Sequence, residues 1–420
     1  MSIAAPCARR RKSNVTNAIT LNRKSLVLAL ERSKSVVPTR CAKPILTCVR
    51  LEVFGGALTI QATDIDTALT TQLPADGDLA ACVVPCAEFI ARLKAGRNET
   101  CTIARTGTAL RINGGQVEHA LQLRDPADFP PVPGQLNGAT IEVNGVELCK
   151  ALHVASVAVA RDPSRYAING ILLESDKSDT RLVATDGRRL VTVELPATAC
   201  KDTKVIFPQR FCQLIEKFAA KSKDRLVLGI KPAQNDKGET LPARLFVAGS
   251  GWLISTHEIE GSFPIYCDVI PKSHSRFTVD GAALLAALNE VRLACGDDSR
   301  MVCVDLSGRR IALSAGSASI GNSEARLTAK FLGGGDREIH TGFNPVFLHD
   351  AVKTLGTGMI VIDVDQNGLG TDGQVCSKPA LLYRHEDPTV HWVIMPVNRG
   401  LEVTRANLGS KFPQYGEKAA

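Results

Sequence analysis

The stretch IEVNGVELCKALHVASVAV, residues 141–159, decides the fold, because the chain contains its pattern three times. A short alternating run ends at Asn144, and apolar residues then recur at helical spacing. ITLNRKSLVLALERSKSVV (19–37) and FTVDGAALLAALNEVRLAC (277–295) repeat the pattern, with Asn22 and Asp280 in the place of Asn144. Asn and Asp suit a helix N-cap, where the side-chain oxygen accepts from the free N–H groups of the first turn. Each copy therefore predicts a strand, a cap and an amphipathic helix.

A second signature follows each of the first. ACVVPCAEFIARLKAG (81–96), KVIFPQRFCQLIEKFAAK (204–221) and HTGFNPVFLHDAVKTLG (340–356) all read strand, proline, helix. Pro85, Pro208 and Pro345 are expected in the first helical turn, where a missing N–H costs little. From cap to proline the separations are 63, 64 and 65 residues, so the copies keep register. Between the two helices lies a third shared stretch. TIQATDIDTALT (59–70) and RLVATDGRRLVT (181–192) place Asp64 and Asp186 122 residues apart, the spacing of Asn22 and Asn144. RIALSAGSASIG (310–321) is the third copy and lacks the carboxylate. Asp-Gly between alternating apolar runs favours a tight hairpin.

The predicted fold class is α+β: three repeated domains, each with two helices on antiparallel sheet. The expected limits are 17–134, 139–272 and 275–399, with a basic tail over 1–16 and a C-terminal extension over 400–420. The extension's Gly, Ser and Lys content favours disorder.

Composition narrows the function. No apolar run of about 18 residues exists, so no membrane partner is expected. The opening MSIAAPCARRRKSN is basic without a following apolar block and is not a secretory signal. Thirteen cysteines are scattered with no CxxC and no zinc-like Cys/His spacing. Reduced, buried thiols in the cytoplasm are expected, with no metal and no other cofactor. The net charge of +7 is unevenly placed: the six helix segments with their flanking loops carry +8 and Arg9–Lys12 carries +4, leaving −5 for the remainder. Arg23, Lys24, Arg210, Lys217 and Lys221 belong to this basic helical set. Such segregation suits a surface facing a polyanion. No zinc finger or RNP-like aromatic pair is visible, so contacts of the phosphate type are expected, independent of base sequence.

Together with the triple repeat, VATDGRRL (183–190), KPILTCVRLEV (43–53), FPIYCDVIPK (263–272) and WVIMPV (392–397) resemble the bacterial DNA polymerase III beta subunit family, the sliding clamps. The resemblance spans roughly 19–399. It implies three DNA-clamp domains per chain and a head-to-tail homodimer, a six-domain ring around duplex DNA. It also implies a non-catalytic accessory subunit with three further kinds of partner: a DNA polymerase catalytic subunit, an ATP-dependent clamp loader, and other proteins carrying short clamp-binding motifs. Matching positions imply a partner-peptide pocket of Ile168, Thr185, Gly187, Arg188, Arg189, Leu190, Pro264, Val269, Val393, Met395, Pro396 and Val397, in which Arg188 and Arg189 orient a peptide carbonyl or carboxylate. They imply DNA contacts at Arg40, Arg165 and Tyr166. They imply a dimer edge with His119 and Leu121 on one face and Leu293 on the other.

The chain departs from the family pattern where Arg188 replaces a usual histidine and Asp268 a usual arginine. It also has His119 at a usually aromatic position and runs on past residue 399. Two alternatives stand beside the clamp. One is a carboxylate- or Mg²⁺-dependent hydrolase using Asp64 and Asp186. The other is an open three-domain nucleic-acid-binding module.

Overall fold

The computed structural model describes residues 18–136, 138–162, 164–176, 179–198, 202–220, 224–234, 240–271, 275–296, 300–317, 319–334, 338–365 and 377–397. The basic tail, the C-terminal extension and Lys221 lie outside the described residues. Six helices occur among them: α1 (Arg23–Lys34), α2 (Cys86–Ala95), α3 (Gly145–Ser156), α4 (Gln209–Ala219), α5 (Gly281–Val291) and α6 (Pro345–Leu355). The chain divides into two compact units. One holds 1–150, 176–178 and 196–260; the other holds 151–175, 179–195 and 261–420.

Caps set the helix starts. Asn22 Oδ1 accepts from Ser25 N at 2.9 Å, Asn144 Oδ1 from Val146 N at 2.9 Å, and Asp280 Oδ1 from Ala283 N at 2.8 Å. The proline expectation needs correction for two copies. Only Pro345 enters a first turn, behind the cap Asn344; Pro85 and Pro208 are themselves the N-cap residues. Their extended backbone, with ψ of 124° and 141°, ends a strand rather than starting a turn.

In the first unit, one sheet runs in the order Asp76–Asp78, Ala18–Asn22, Thr100–Thr106, Ala109–Asn113, Glu118–Gln122. A second runs Ala139–Asn144, Arg225–Gln234, Thr240–Gly249, Trp252–His257, Ala68–Pro74, Ala57–Thr63, Cys48–Phe54, Cys82–Pro85. All these pairings are antiparallel. Helices α1 and α2 pack together, burying Leu26, Ala29 and Leu30 with Phe89, Ile90 and Leu93. Their polar faces stay wet, the amphipathic arrangement the periodicity demands.

In the second unit, the strands Gly170–Ser175, Thr180–Thr185, Arg189–Leu195, Val390–Ile394, Ala380–Arg384, Met359–Val364, Ser275–Asp280, Gly321–Gly333, Arg310–Ser317, Val302–Ser307 and Ile339–Phe343 follow one another antiparallel. Helices α5 and α6 pack together over this core, where Trp392 is fully buried.

The sheets do not stop at repeat boundaries. The strand after the Asp64 turn, Ala68–Pro74, pairs with the last strand of the second repeat, Trp252–His257. The strand after the Asp186 turn, Arg189–Leu195, pairs with the last strand of the third repeat, Val390–Ile394. The registers match: Ala68 faces Ser255 and Thr71 faces Trp252, just as Leu190 faces Val393 and Val193 faces Val390. Among the described residues, two of the open strand edges bear on this series. Glu118–Gln122, last in the first repeat, pairs on one side only among the described residues. So does the Gly321–Thr328 half of the third repeat's long strand.

Candidate docking site at the Thr185–Arg189 turn

The turn between Thr180–Thr185 and Arg189–Leu195 is held by its own polar groups. Asp186 Oδ1 accepts from Arg188 N at 2.9 Å and Arg189 N at 3.0 Å. Thr185 Oγ1 accepts from Gly187 N at 3.0 Å and donates to Arg189 O at 2.7 Å. Gly187 has φ of 84°, a left-handed backbone that a side chain disfavours. Asp186 Oδ2 accepts from Arg189 Nε at 3.0 Å, which occupies the second carboxylate oxygen.

Arg189 is the hub of this wall. Its Nη1 donates to Asp350 Oδ2 on α6 at 2.7 Å and its Nη2 to Val157 O at 2.7 Å, while its guanidinium lies 4.6 Å from the centre of the Phe347 ring. The side chain is only 10% exposed. Asp186, Asp350 and Val157 thus already hold the guanidinium against the wall of the fold. Asp64 follows the same plan in the first unit. Its Oδ1 accepts from Thr67 N at 2.7 Å and its Oδ2 meets Arg210 Nη1 on α4 at 2.5 Å. In both units the turn of one repeat is ionically tied to the second helix of the next. Ala315 stands at the matching position of the third repeat and is fully buried.

Against the turn opens a cavity of about 170 Å³, lined by Ile168, Thr185, Gly187, Arg188, Arg189, Leu190, Pro264, Ile265, Tyr266, Val269, Val393 and Met395. Pairing of Leu190 with Val393 brings two lining residues together, and Met395 N donates to Arg188 O at 2.9 Å. The Pro264–Val269 wall is pinned by Tyr266, whose phenol donates to Glu174 on the neighbouring strand Gly170–Ser175. Burial and that hydrogen bond hold the phenol well above its ordinary pKa. The floor is buried, with Leu190 4% and Val393 2% exposed, whereas the rim residue Ile265 is 79% exposed. An apolar floor under exposed apolar edges is a surface shaped to be covered.

Ten of the twelve residues expected in this pocket line it. Pro396 and Val397 do not: Val397 N donates to Gly342 O at 2.7 Å and its side chain packs on Met301 and Cys303, so the chain turns away after Met395. Ile265 and Tyr266 were missed, although they lie between two expected members, Pro264 and Val269.

The expected DNA contacts scatter more widely. Arg23 donates to Asn98 O at 2.6 Å and Leu93 O at 3.1 Å, tying down the carbonyl end of α2. Arg165 donates to Asp186 O at 3.0 Å and so lies across the docking turn. Tyr166 opens the short turn Tyr166–Ile168. Lys24 and Arg40 are exposed. Arg210 is tied to Asp64 and to Val36 O, and Lys217 Nζ donates to Ser35 Oγ at 2.6 Å. At the expected dimer edge, His119 is half-buried on the free strand Glu118–Gln122 and Leu293 is 73% exposed after α5. Leu121 is 4% exposed and belongs to its own domain's core, because strand alternation turns it inward.

Among the described residues, no group of three or more His, Cys, Asp or Glu side chains is placed to hold a metal ion, and no helix is long and apolar enough to cross a membrane.

A tripled two-helix, antiparallel-sheet unit of this kind defines a clamp-fold protein. The chain belongs to the DNA polymerase III beta subunit family, the sliding clamps: its N-terminal-domain model matches 17–133, its central-domain model 142–265 and its C-terminal-domain model 268–398. Beta sliding clamps of Caulobacter vibrioides (strain NA1000 / CB15N) and Rickettsia bellii (strain RML369-C) are each 25% identical, over 90% of this chain and 99% of theirs. The crystal structure of the DNA polymerase III subunit beta from Pseudomonas aeruginosa superposes with a TM-score of 0.78 at 21% identity, covering 90% of this chain and 99% of that one.

Proposed function

We propose that two copies of this chain join head to tail into a six-domain ring around duplex DNA. The ring tethers a polymerase through the cavity at the Thr185–Arg189 turn and catalyses nothing itself. The observation that carries the reading is this pair of open strand edges. Within the chain, the strand after each Asp turn is covered by the last strand of the following repeat, twice in one register. Gly321–Thr328 continues that series with a strand on one side only among the described residues, and Glu118–Gln122 is the last strand of the first repeat, likewise paired on one side. A second copy supplies both missing pairings, and the series closes. Exposed Leu293 and half-buried His119 lie at the ends so joined. The domains of the ring are 17–134, 139–272 and 275–399.

Lys24 and Arg40, with Lys217 and the other basic helix residues, attract phosphates without reading bases, as sliding demands. The hydrolase reading fares worse, because both oxygens of Asp64 and of Asp186 are engaged within the fold. The clamp loader and motif-bearing partners follow from the family, in the cytoplasm where the chromosome lies. Leu190→Ala with Met395→Ala tests the tether: polymerase stimulation should vanish while dimer mass persists. Retained stimulation rules the cavity out.

A further inference from the structure

The rim of the cavity carries more specificity than its floor. No carboxylate lines it, and its two lining arginines are in different states. Arg189 is neutralised between Asp186 and Asp350. Arg188 has its backbone fixed at both ends, by Asp186 Oδ1 on its N–H and by Met395 N on its carbonyl. Its side chain is exposed, and among the described residues its guanidinium makes no ion pair or hydrogen bond. Arg165 brings a second guanidinium to the same place. Its Nη1 reaches Asp186 O at 3.0 Å, and a Cβ on Gly187 would sit 2.7 Å from that nitrogen. The Arg165 guanidinium thus lies against Gly187, whose neighbour in sequence is the exposed lining residue Arg188, beside an aspartate whose oxygens are already engaged. Exposed Asp268 falls in sequence between the lining residues Tyr266 and Val269.

We propose that the cavity selects a short extended peptide whose apolar anchors are flanked, on the Gly187 side, by a carboxylate held by Arg188 and Arg165. The flank toward Asp268 is neutral or basic. The proposal rests on the reading of this cavity as a docking site and adds the chemistry and direction of its occupant. A carboxylate suits a planar guanidinium fork, which gives geometry as well as attraction. Rim charges of opposite sign fix register and orientation more than they add affinity. Gly187 lets the peptide backbone approach closely.

The test uses labelled synthetic peptides sharing one apolar pair and differing only in one flank, Asp, Asn or Lys, with each flank varied in turn. They are titrated by fluorescence anisotropy against the full chain at low and at high salt. At low salt the Asp peptide should bind about two- to fivefold more tightly than the Asn peptide, the range of a partly exposed ion pair, and the Lys peptide more weakly still. High salt should erase the ranking, and Arg188→Glu should invert it. Arg165→Ala, which leaves the lining intact, should shrink the preference without inverting it. Equal binding of all three peptides overturns the charge selection and leaves the docking site standing. Failure of every peptide to bind, the neutral one included, removes the docking site and the proposal with it. Tighter binding to a chain ending at Val397 than to the full chain gives the cavity to residues 398–420 and overturns a partner in trans.

Discussion

Replacing Arg189 with methionine keeps most of the side-chain volume and removes the charge. It leaves Asp186 Oδ2 and Asp350 Oδ2 without their guanidinium and Val157 O without its donor. Breaking a buried pair by deleting one partner costs about 3–5 kcal/mol, because the remaining charges stay desolvated. Asp350 is 28% exposed and can recruit water, which places the cost near the lower end, about 3 kcal/mol. Arg210 is a built-in comparison: it plays the matching part toward Asp64, but its side chain is 50% exposed, so Arg210→Met should cost about 1 kcal/mol or less. The chain has two tryptophans, Trp252 in the first compact unit and Trp392 in the second, both buried. A Trp252→Phe background therefore lets urea unfolding of the second unit be followed by Trp392 emission alone. With a slope of about 2–3 kcal/mol per molar urea, Arg189→Met should lower that midpoint by about 1–1.5 M. A shift no larger than that of Arg210→Met, read by Trp252 in a Trp392→Phe background, would refute the hub.

Further outcomes follow from the same geometry. Lys24→Ala with Arg40→Ala should flatten the salt dependence of DNA association, by about 0.9 in log–log slope for each phosphate no longer neutralised. Arg23→Ala should lower thermal stability instead, since Arg23 serves backbone carbonyls. Thiol labelling of the native chain near neutral pH should find Cys41 and Cys267, which are exposed, and spare Cys82 and Cys86, whose thiols burial pushes up to about 12. A peptide in the cavity should slow labelling of Cys267, which follows the lining residue Tyr266. Burial depresses the His391 pKa, against an opposing pull from Glu194. The unfolded chain then takes up the proton first, so the second unit should lose stability as pH falls below about 6.5. His391→Gln should flatten that loss in pH-dependent unfolding.

What was legible in the sequence was periodic or local. The caps Asn22, Asn144 and Asp280 each act within three residues, so their spacing reported helix starts directly. The turn at Asp186 was likewise readable, since the side chains of Thr185 and Asp186 bond to near neighbours, Arg189 included. The role of Arg189 was hidden because its decisive partner, Asp350, is 161 residues away and has no local signature. That the Leu121 side chain faces its own core was hidden, because an apolar residue on an edge strand can face a partner or its own core. Val397 followed Met395 in the matched stretch, yet Gly342 captures its N–H and draws the chain aside. The merging of sheets across repeats was also invisible, because strand pairing between repeats depends on packing rather than on any motif.

Ring closure is tested most directly by topology. The chain, placed on nicked circular DNA by a clamp loader and freed of unbound protein, should remain on the circle. It should run off once the circle is cut open by a restriction enzyme. Loss at the same rate from circular and linearised DNA would contradict the encircling clamp and leave an ordinary nucleic-acid binder in its place.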